Sequence, residues 1–361
     1  ESGYFIRHEV TRAARTMGPE GKAYVCGRYD NNMRYLDDEL DRFFQHLPDD
    51  ANILIVSDHG EEFWEHGGFE HGHTLFDEVL HVPLIVKGPE ITPGRFDAPT
   101  SLLDLAPTMA AMQGLGQDGM VGADLGRLAS GDATAQFENR PQAFGRPLYG
   151  LRQWGSVHDG KKYTVHEGKE ALYDLEKDAG ETTSKIGKIS PTPLREALSD
   201  ALERPFVQAF RVVLNRTKSG KPVRITLDQP MNAAWVGDDP TMKGKAKVEV
   251  TETQTIARWP KQSGMVEVFV IPSDAVGDAI NVTITIGKNS NTHTIALTNR
   301  TAPKPGKPDV LLNTRFEGRK IKMTTTWVPI PSDIDSAIEG FDAEVQGDLE
   351  SLGYIEADTE N

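Results

Sequence analysis

Cysteine is nearly absent from this 361-residue chain, since Cys26 is the only one. A disulfide scaffold and a zinc site built from several cysteines are therefore excluded. No run of about 18 apolar residues occurs, so no transmembrane helix is predicted within these residues. Positive charge is also scarce, because 54 Asp and Glu outnumber 39 Lys and Arg and leave a net charge of −15. That balance argues against a protein that binds nucleic acid through its phosphates.

The first residues, Glu1-Ser-Gly-Tyr4, include no initiator methionine and no basic or apolar stretch typical of a signal peptide. We therefore expect the chain to be the rear part of a longer protein. A periplasmic, extracellular or membrane-anchored location through a preceding segment is the favoured expectation. The 38% of apolar residues is enough for buried cores, and the length predicts two or three domains.

The first third of the chain has the pattern of an α/β structure. Apolar residues at helical spacing predict a helix over 29–47, ended by Pro48. The apolar run that ends at Val56 is typical of a strand buried on both faces of a parallel sheet. A second strand is predicted over 80–86, and a helix is predicted to begin at Ser101.

The rest of the chain is richer in short strands. Asp159-Gly160 and Glu167-Gly168 are hairpin signals within 147–175, and a helix is predicted over 193–202. Regularly spaced strands over 206–328, separated by Gly, Pro and Asn, indicate a β-sandwich. The last 29 residues carry 10 Asp and Glu and no Lys or Arg, and they predict an acidic amphipathic helix.

Histidine is concentrated in one short stretch. Five of the ten histidines fall between positions 59 and 81 together with several Asp and Glu residues. Neutral imidazole and carboxylate are the usual ligands of divalent metals. Asp58 and His59 directly follow the predicted buried strand, and ligands of open α/β sheets bind at that end of a strand. The pair is therefore predicted to bind a metal, whereas Glu61 and Glu62 are interpreted as solvated loop residues.

Several motifs carry a resemblance to a known family. They are Ser57-Asp-His-Gly-Glu61, Glu65-His-Gly67, His71-Gly-His-Thr-Leu-Phe-Asp-Glu78, His81-Val-Pro-Leu-Ile-Val86, Leu102-Leu-Asp-Leu-Ala-Pro-Thr108, Glu170-Ala-Leu-Tyr-Asp-Leu175 and Leu352-Gly-Tyr-Ile355. Together they resemble the sulfatase family of the alkaline phosphatase superfamily, and the last is similar to an ending common in bacterial members. The resemblance is good over 24–112, fair over 145–180 and absent from about 206 to 328.

The resemblance implies hydrolysis of a sulfate or phosphate ester with a divalent metal that positions the anion and activates the nucleophile. It assigns Asp58 and His59 as metal ligands. His73 falls where the family supplies a cation to the anion or a further metal ligand, and His71 is its nearest rival. Many sulfatases have a lysine in this loop, yet no lysine occurs between positions 23 and 86. One Ca²⁺ suits a sulfatase, and two Zn²⁺ or Mn²⁺ ions would suit a phosphatase-like site.

The nucleophile motif of the family, Cys or Ser-x-Pro-x-Arg, does not occur in the 361 residues. Cys26 lacks the proline two positions on, and we interpret it as a small residue packed before the predicted helix. The paired aspartates that open the fold are also missing. We therefore expect this chain alone to be inactive.

The fold expected is α/β, the C-terminal part of an alkaline-phosphatase-like sandwich followed by an all-β sandwich-like domain. The predicted division is 1–112 for the catalytic α/β part, 113–205 for a C-terminal subdomain, 206–328 for a β-sandwich insertion and 329–361 for the acidic helix. The leading function is that of a sulfatase. A phosphatase, phosphodiesterase or phosphonate hydrolase on the same scaffold is the first alternative, and an inactive metal-bound scaffold that carries a β-sandwich binding module is the second. The expected partner is a sulfate or phosphate ester, and the sequence leaves the oligomeric state open.

Overall fold

The computed structural model describes most of the chain between residues 17 and 329. The described residues are 17–72, 74–131, 137–138, 140–145, 153–166, 168–203, 205–214, 222–229, 231–236, 247–251, 253–259, 266–272, 277–297 and 306–329. His73 and, apart from its first residue, the acidic helix expected over 329–361 lie outside the described residues. The structure therefore does not test these two predictions.

The first helix, α1, covers Pro19–Phe44. It begins ten residues earlier than predicted, because proline is tolerated in a first turn whose N–H groups have no partner within the helix. Cys26 consequently lies inside the helix rather than before it, which corrects the interpretation made from the sequence. None of the residues of α1 is buried. Among the described residues, no helix combines the length and the apolar character needed to cross a membrane.

Two short strands, β1 (Ile53–Val56) and β2 (Leu84–Lys87), pair antiparallel with each other. The prediction of a strand buried on both faces of a parallel sheet is wrong for the described residues, because β1 is partly exposed along its whole length. An apolar run indicates a strand, but it does not specify the direction of the neighbouring strand. The second strand also begins later than predicted, because Asp77–Leu80 forms a one-turn helix, α2. Pro83, which has no backbone N–H to donate to a neighbouring strand, immediately precedes β2.

The helix predicted to begin at Ser101 is confirmed as a 3₁₀ turn, Leu102–Asp104, that continues into α3, Leu105–Met112. Ser101 and Asp104 form a capping box, in which each side chain accepts a backbone N–H of the other end of the turn. A short helix, α4, follows at Leu125–Ala129. Leu84 and Val86 of β2 pack against Leu125 and Leu128 of α4.

A four-stranded antiparallel sheet comes next, with its strands in sequence order. Its strands are β3 (Gln142–Gly145), β4 (Gln153–His158), β5 (Lys161–His166) and β6 (Lys169–Asp174). The hairpin predicted at Asp159-Gly160 is confirmed, because both residues have positive φ values of 48° and 62° between β4 and β5. The predicted following helix is α5, Thr192–Ala201, which packs on this sheet through Leu194 and Leu198.

Two five-stranded antiparallel sheets complete the described chain, which confirms the all-β character expected there. Their strands are β7 (Phe206–Leu214), β8 (Val223–Leu227), β9 (Met231–Val236), β10 (Lys247–Val250), β11 (Thr255–Trp259), β12 (Val266–Pro272), β13 (Ala279–Ile286), β14 (Asn289–Ala296), β15 (Val310–Phe316) and β16 (Arg319–Pro329). The strand orders are β10-β11-β8-β13-β14 and β15-β16-β7-β12-β9. Alternate residues of both sheets, such as Val212 and Ile284, bury one common core.

The two-sheet part and the four-stranded sheet share a second core. Phe206 of β7 and Trp327 of β16 stack at 6.1 Å between ring centroids, and both pack with Tyr163 of β5. Gly168 approaches this junction so closely that a Cβ atom there would lie 2.5 Å from the Thr325 carbonyl oxygen. The residue therefore has to be glycine, and its φ of +76° favours glycine as well.

Candidate functional site

Asp58 and His59 begin the loop that follows β1. The Ser57 hydroxyl donates to the His59 carbonyl oxygen at 2.6 Å, and the His59 backbone N–H donates to Asp58 Oδ1 at 2.9 Å. His59 Nδ1 lies 2.9 Å from the Gly60 carbonyl oxygen. Because a carbonyl only accepts, Nδ1 carries the proton and Nε2 of the neutral ring has a free lone pair. This turn therefore holds both side chains in defined orientations.

The arrangement of these two side chains fits a divalent cation. His59 Nε2 lies 3.7 Å from Asp58 Oδ2, and the two side chains are 36% and 69% exposed. Two ligand atoms of one cation are about 3–4 Å apart, because each lies about 2.0–2.6 Å from the ion. An imidazole lone pair and a carboxylate oxygen at this separation therefore match the donor types and the spacing that such an ion requires.

His71 and Glu61 adjoin this pair. The ring of His71 lies 3.9 Å from the ring of His59 between centroids, and its Nδ1 is 3.2 Å from Glu61 Oε1. The structure thus brings His71 together with His59, while His73 lies outside the described residues. Within the described part of the chain, no group of three or more His, Cys, Asp or Glu side chains is arranged to hold a metal ion. The roles of His71 and His73 stay predictions.

Glu62 shapes the loop that carries His71. Its side chain is fully buried, which corrects the interpretation of Glu62 as a solvated residue. The carboxylate accepts the Gly68 backbone N–H at 2.6 Å and the Thr74 hydroxyl at 3.1 Å. A Cβ atom on Gly68 would lie 2.4 Å from this carboxylate, so a larger residue there would displace the Glu62 side chain. The buried carboxylate is compensated by these donors, which the sequence pattern alone does not reveal.

His66 lies farther along the same loop and contacts another part of the chain. Its Nδ1 lies 2.6 Å from Glu78 Oε1, its Nε2 lies 3.0 Å from the Gly180 carbonyl oxygen, and its ring stacks on Phe76. Burial lowers the pKa of His66, but the hydrogen bond and the charge of Glu78, with help from Gly180 and Glu181, raise the pKa above its ordinary value. Both ring nitrogens face acceptors, and only the protonated ring can donate to both.

Comparison with known proteins matches part of this sequence to a family. The Sulfatase family model matches residues 7–115. The chain is 31% identical over 170 residues to a choline-sulfatase of Rhizobium meliloti (strain 1021), with 43% of this chain and 32% of that protein covered. It is 26% identical over 179 residues to the uncharacterised sulfatase YidJ of Escherichia coli (strain K12), covering 46% and 35%, and 27% identical over 183 residues to arylsulfatase K of Xenopus laevis, covering 45% and 33%.

Residues 7–115 thus match the sulfatase family, and they contain the motifs around Asp58 that carry the resemblance. It spans about a third of the length of the curated relatives it matches. The matched segment contains β1, β2 and the loop between them, and therefore the candidate metal ligands.

Proposed function

We propose that this chain contributes the metal-binding part of a sulfatase that hydrolyses sulfate esters. The observation that supports this best is the pairing of Asp58 Oδ2 with His59 Nε2 at 3.7 Å within a segment that matches the sulfatase family. In this proposal Asp58 and His59 hold one divalent cation. His71 or His73 contacts the sulfate group or supplies a further ligand.

Ca²⁺ is the proposed cation, with Zn²⁺ or Mn²⁺ as the alternatives. An exposed carboxylate suits the hard Ca²⁺ ion, whereas nearby imidazoles suit Zn²⁺ or Mn²⁺. A bound divalent cation neutralises the charge of the sulfate group and favours the deprotonated nucleophile. His59 Nδ1 donates to the Gly60 carbonyl, and that bond keeps Nε2 available as a ligand atom.

Asp58→Ala tests the metal site directly. Removing the carboxylate takes away one of two ligand atoms, so we expect at least a tenfold weaker binding of Ca²⁺, or of Mn²⁺ where Mn²⁺ binds more tightly. Isothermal titration and elemental analysis of the full chain measure this loss. Asp50→Ala, at an exposed aspartate before β1, is the matched control and keeps the affinity. Unchanged metal content in Asp58→Ala contradicts the proposal.

A phosphate-ester hydrolase is the second candidate, because the loop offers histidines and no lysine between positions 23 and 86. Since the chain lacks the nucleophile motif, we expect it alone to leave 4-nitrophenyl sulfate and 4-nitrophenyl phosphate unchanged when metal is added. In the complete protein, preference between these two esters distinguishes the candidates. Turnover by the 361-residue chain that His73→Ala abolishes would mean that the nucleophile has been misidentified.

A further inference from the structure

Lys162 lies on β5, far from the candidate site in sequence, and its side chain is fully buried. Its Nζ lies 2.8 Å from Asp77 Oδ1 and 2.8 Å from Glu181 Oε1. A buried ammonium group is costly unless it is paired and hydrogen-bonded. Because the two carboxylates belong to α2 and to the turn after β6, Lys162 joins three separate segments.

Glu181 reinforces the same junction. It is 2% exposed, and its Oε2 accepts the backbone N–H of Asp77 at 2.7 Å. Its φ of +49° is unfavourable for a residue other than glycine, so the surrounding contacts must hold it. Asp178 supplies such contacts, because its two carboxylate oxygens accept the N–H groups of Thr182 and Thr183 at 3.0 and 2.8 Å. The turn that carries Glu181 is therefore held by its own hydrogen bonds as well as by its contact with Asp77.

The helix α2 in turn supports the candidate ligands. The Gly60 N–H donates to the Val79 carbonyl oxygen at 2.8 Å. A Cβ atom on Gly60 would lie 2.1 Å from the Glu78 carbonyl oxygen, so the two backbones are in direct contact. The segment that carries Asp58 and His59 thus rests on α2, whose first residue is bound by Lys162.

We propose that Lys162 is a positioning residue, which holds α2 through Asp77 and Glu181 and so orients Asp58 and His59 toward a divalent cation. This inference rests on the proposed function. Lys162 binds Asp77 and Glu181, so its effect on Asp58 and His59 passes through α2 and Gly60. Removing a hydrogen bond that orients a metal ligand typically lowers the metal affinity about 10–100-fold.

The test compares three variants with the unchanged full chain. Asp77→Asn removes one charge at a partly exposed position, and Lys162→Met removes the ammonium group. Because Lys162→Met leaves the buried Glu181 carboxylate without its cation, the double variant Lys162→Met/Glu181→Met replaces the whole buried pair by apolar side chains, which is often neutral for stability. Lys161→Met is the matched control, since Lys161 adjoins Lys162 on β5 but is 34% exposed and donates to the Asp159 carbonyl oxygen.

Two measurements separate positioning from folding and from the proposed function. Hydrogen exchange of the amides of residues 59–72 and 74–80 shows whether the loop after β1 and α2 keep their backbone hydrogen bonds. Ca²⁺ titration measures the affinity of the site that Asp58 and His59 form. We expect faster exchange there and about tenfold weaker Ca²⁺ binding in Asp77→Asn, in Lys162→Met and in the double variant, with no change in Lys161→Met.

Unchanged exchange and affinity in folded Asp77→Asn and double variants overturn the inference. If the unchanged chain binds no Ca²⁺, the metal site of the proposed function is contradicted. The exchange data then still decide whether Lys162 holds the segment, and equal exchange in all variants overturns that claim as well.

Discussion

At the residue scale, His66 is the side chain whose protonation links the loop after β1 to the rest of the protein. Its two ring nitrogens donate to Glu78 and to the Gly180 carbonyl, and its side chain is 15% exposed. Only the imidazolium can make both bonds, because a neutral ring has a single N–H. Folding therefore favours the protonated ring, which agrees with the raised pKa of His66.

The sign of the pH dependence follows from that shift. A folded pKa above the ordinary value of about 6.5 means that the contribution of His66 to stability is complete below pH 6.5 and is lost as the pH rises through the folded value. We expect the free energy of unfolding of the full chain to exceed that of His66→Gln below pH 6.5, and this difference to shrink above it. Urea unfolding of both proteins from pH 5.5 to 8.5 measures this difference. His46→Gln, at an exposed histidine, serves as the control, and a difference that grows with pH contradicts the prediction.

Individual residues also show which contacts can be predicted from the sequence and which cannot. The Asp58-His59-Gly60 turn follows from local chemistry, because its hydrogen bonds join residues at most two positions apart. The partners of Lys162 are 85 and 19 positions away, and only the folded chain brings them together. From the sequence alone, a charged residue is expected to be solvated. Whether it is buried depends on distant partners, which no local pattern specifies.

At the scale of elements, two ion pairs near α3 differ sharply in their surroundings. Asp104 is fully buried and accepts two hydrogen bonds from the Arg140 guanidinium, each at 2.6 Å, and one from the Ala123 N–H at 2.8 Å. Arg95 and Asp97 also pair, but their side chains are 91% and 82% exposed. A buried bidentate pair fixes the start of α3, whereas an exposed pair is screened by water.

Asp104→Ala should therefore destabilise the protein much more than Asp97→Ala. The first change removes the cap of the 3₁₀ turn and leaves Arg140 without its carboxylate, which costs about 3–5 kcal/mol. The second removes an exposed pair worth about 0–1 kcal/mol. Thermal and urea unfolding of both variants provide the comparison. Equal losses would mean that Asp104 does not hold α3 in solution.

Elements defined by local signals were predicted well, and those defined by distant contacts were not. The capped helix after Ser101 and the Asp159-Gly160 hairpin are confirmed, because capping and turn residues act within a few positions. The predicted direction of the strand beside β1 was wrong, because it depends on where β2 lies after 27 intervening residues, 57–83, which include α2. The early start of α1 at Pro19 was also missed, because apolar spacing before Tyr29 is weak.

At the scale of the whole molecule, the candidate site and the two five-stranded sheets are linked through β5. Lys162 faces α2, while the adjacent Tyr163 faces the core that contains Phe206 and Trp327, because successive side chains of a strand point to opposite faces. The Arg195 guanidinium closes this core at 3.9 Å from the Trp327 ring. The division into domains stays a prediction. A deletion that tests it has to keep the residues of this shared core.

Deleting all of 206–328 removes Phe206 and Trp327 and so opens the core beneath β5. We expect this variant to lose several kcal/mol of stability, since removing one large buried aromatic side chain costs about 3–5 kcal/mol. Gln208 and Trp327 are direct partners in the β7–β16 pairing, so their backbones lie side by side. Deleting 209–326 and joining Gln208 to Trp327 through Asn-Gly, a two-residue hairpin turn, keeps both aromatic residues.

The shorter deletion should leave the Asp58 metal site formed, with Ca²⁺ affinity within about threefold of the full chain, because α2, Lys162 and the core under β5 remain. Circular dichroism, thermal unfolding and Ca²⁺ titration of the two deletions and the full chain make the comparison. Loss of Ca²⁺ binding in a folded and soluble 209–326 deletion would mean that the two-sheet part contributes directly to the site. Retained binding and stability in the 206–328 deletion would instead mean that the core under β5 does not need Phe206 and Trp327.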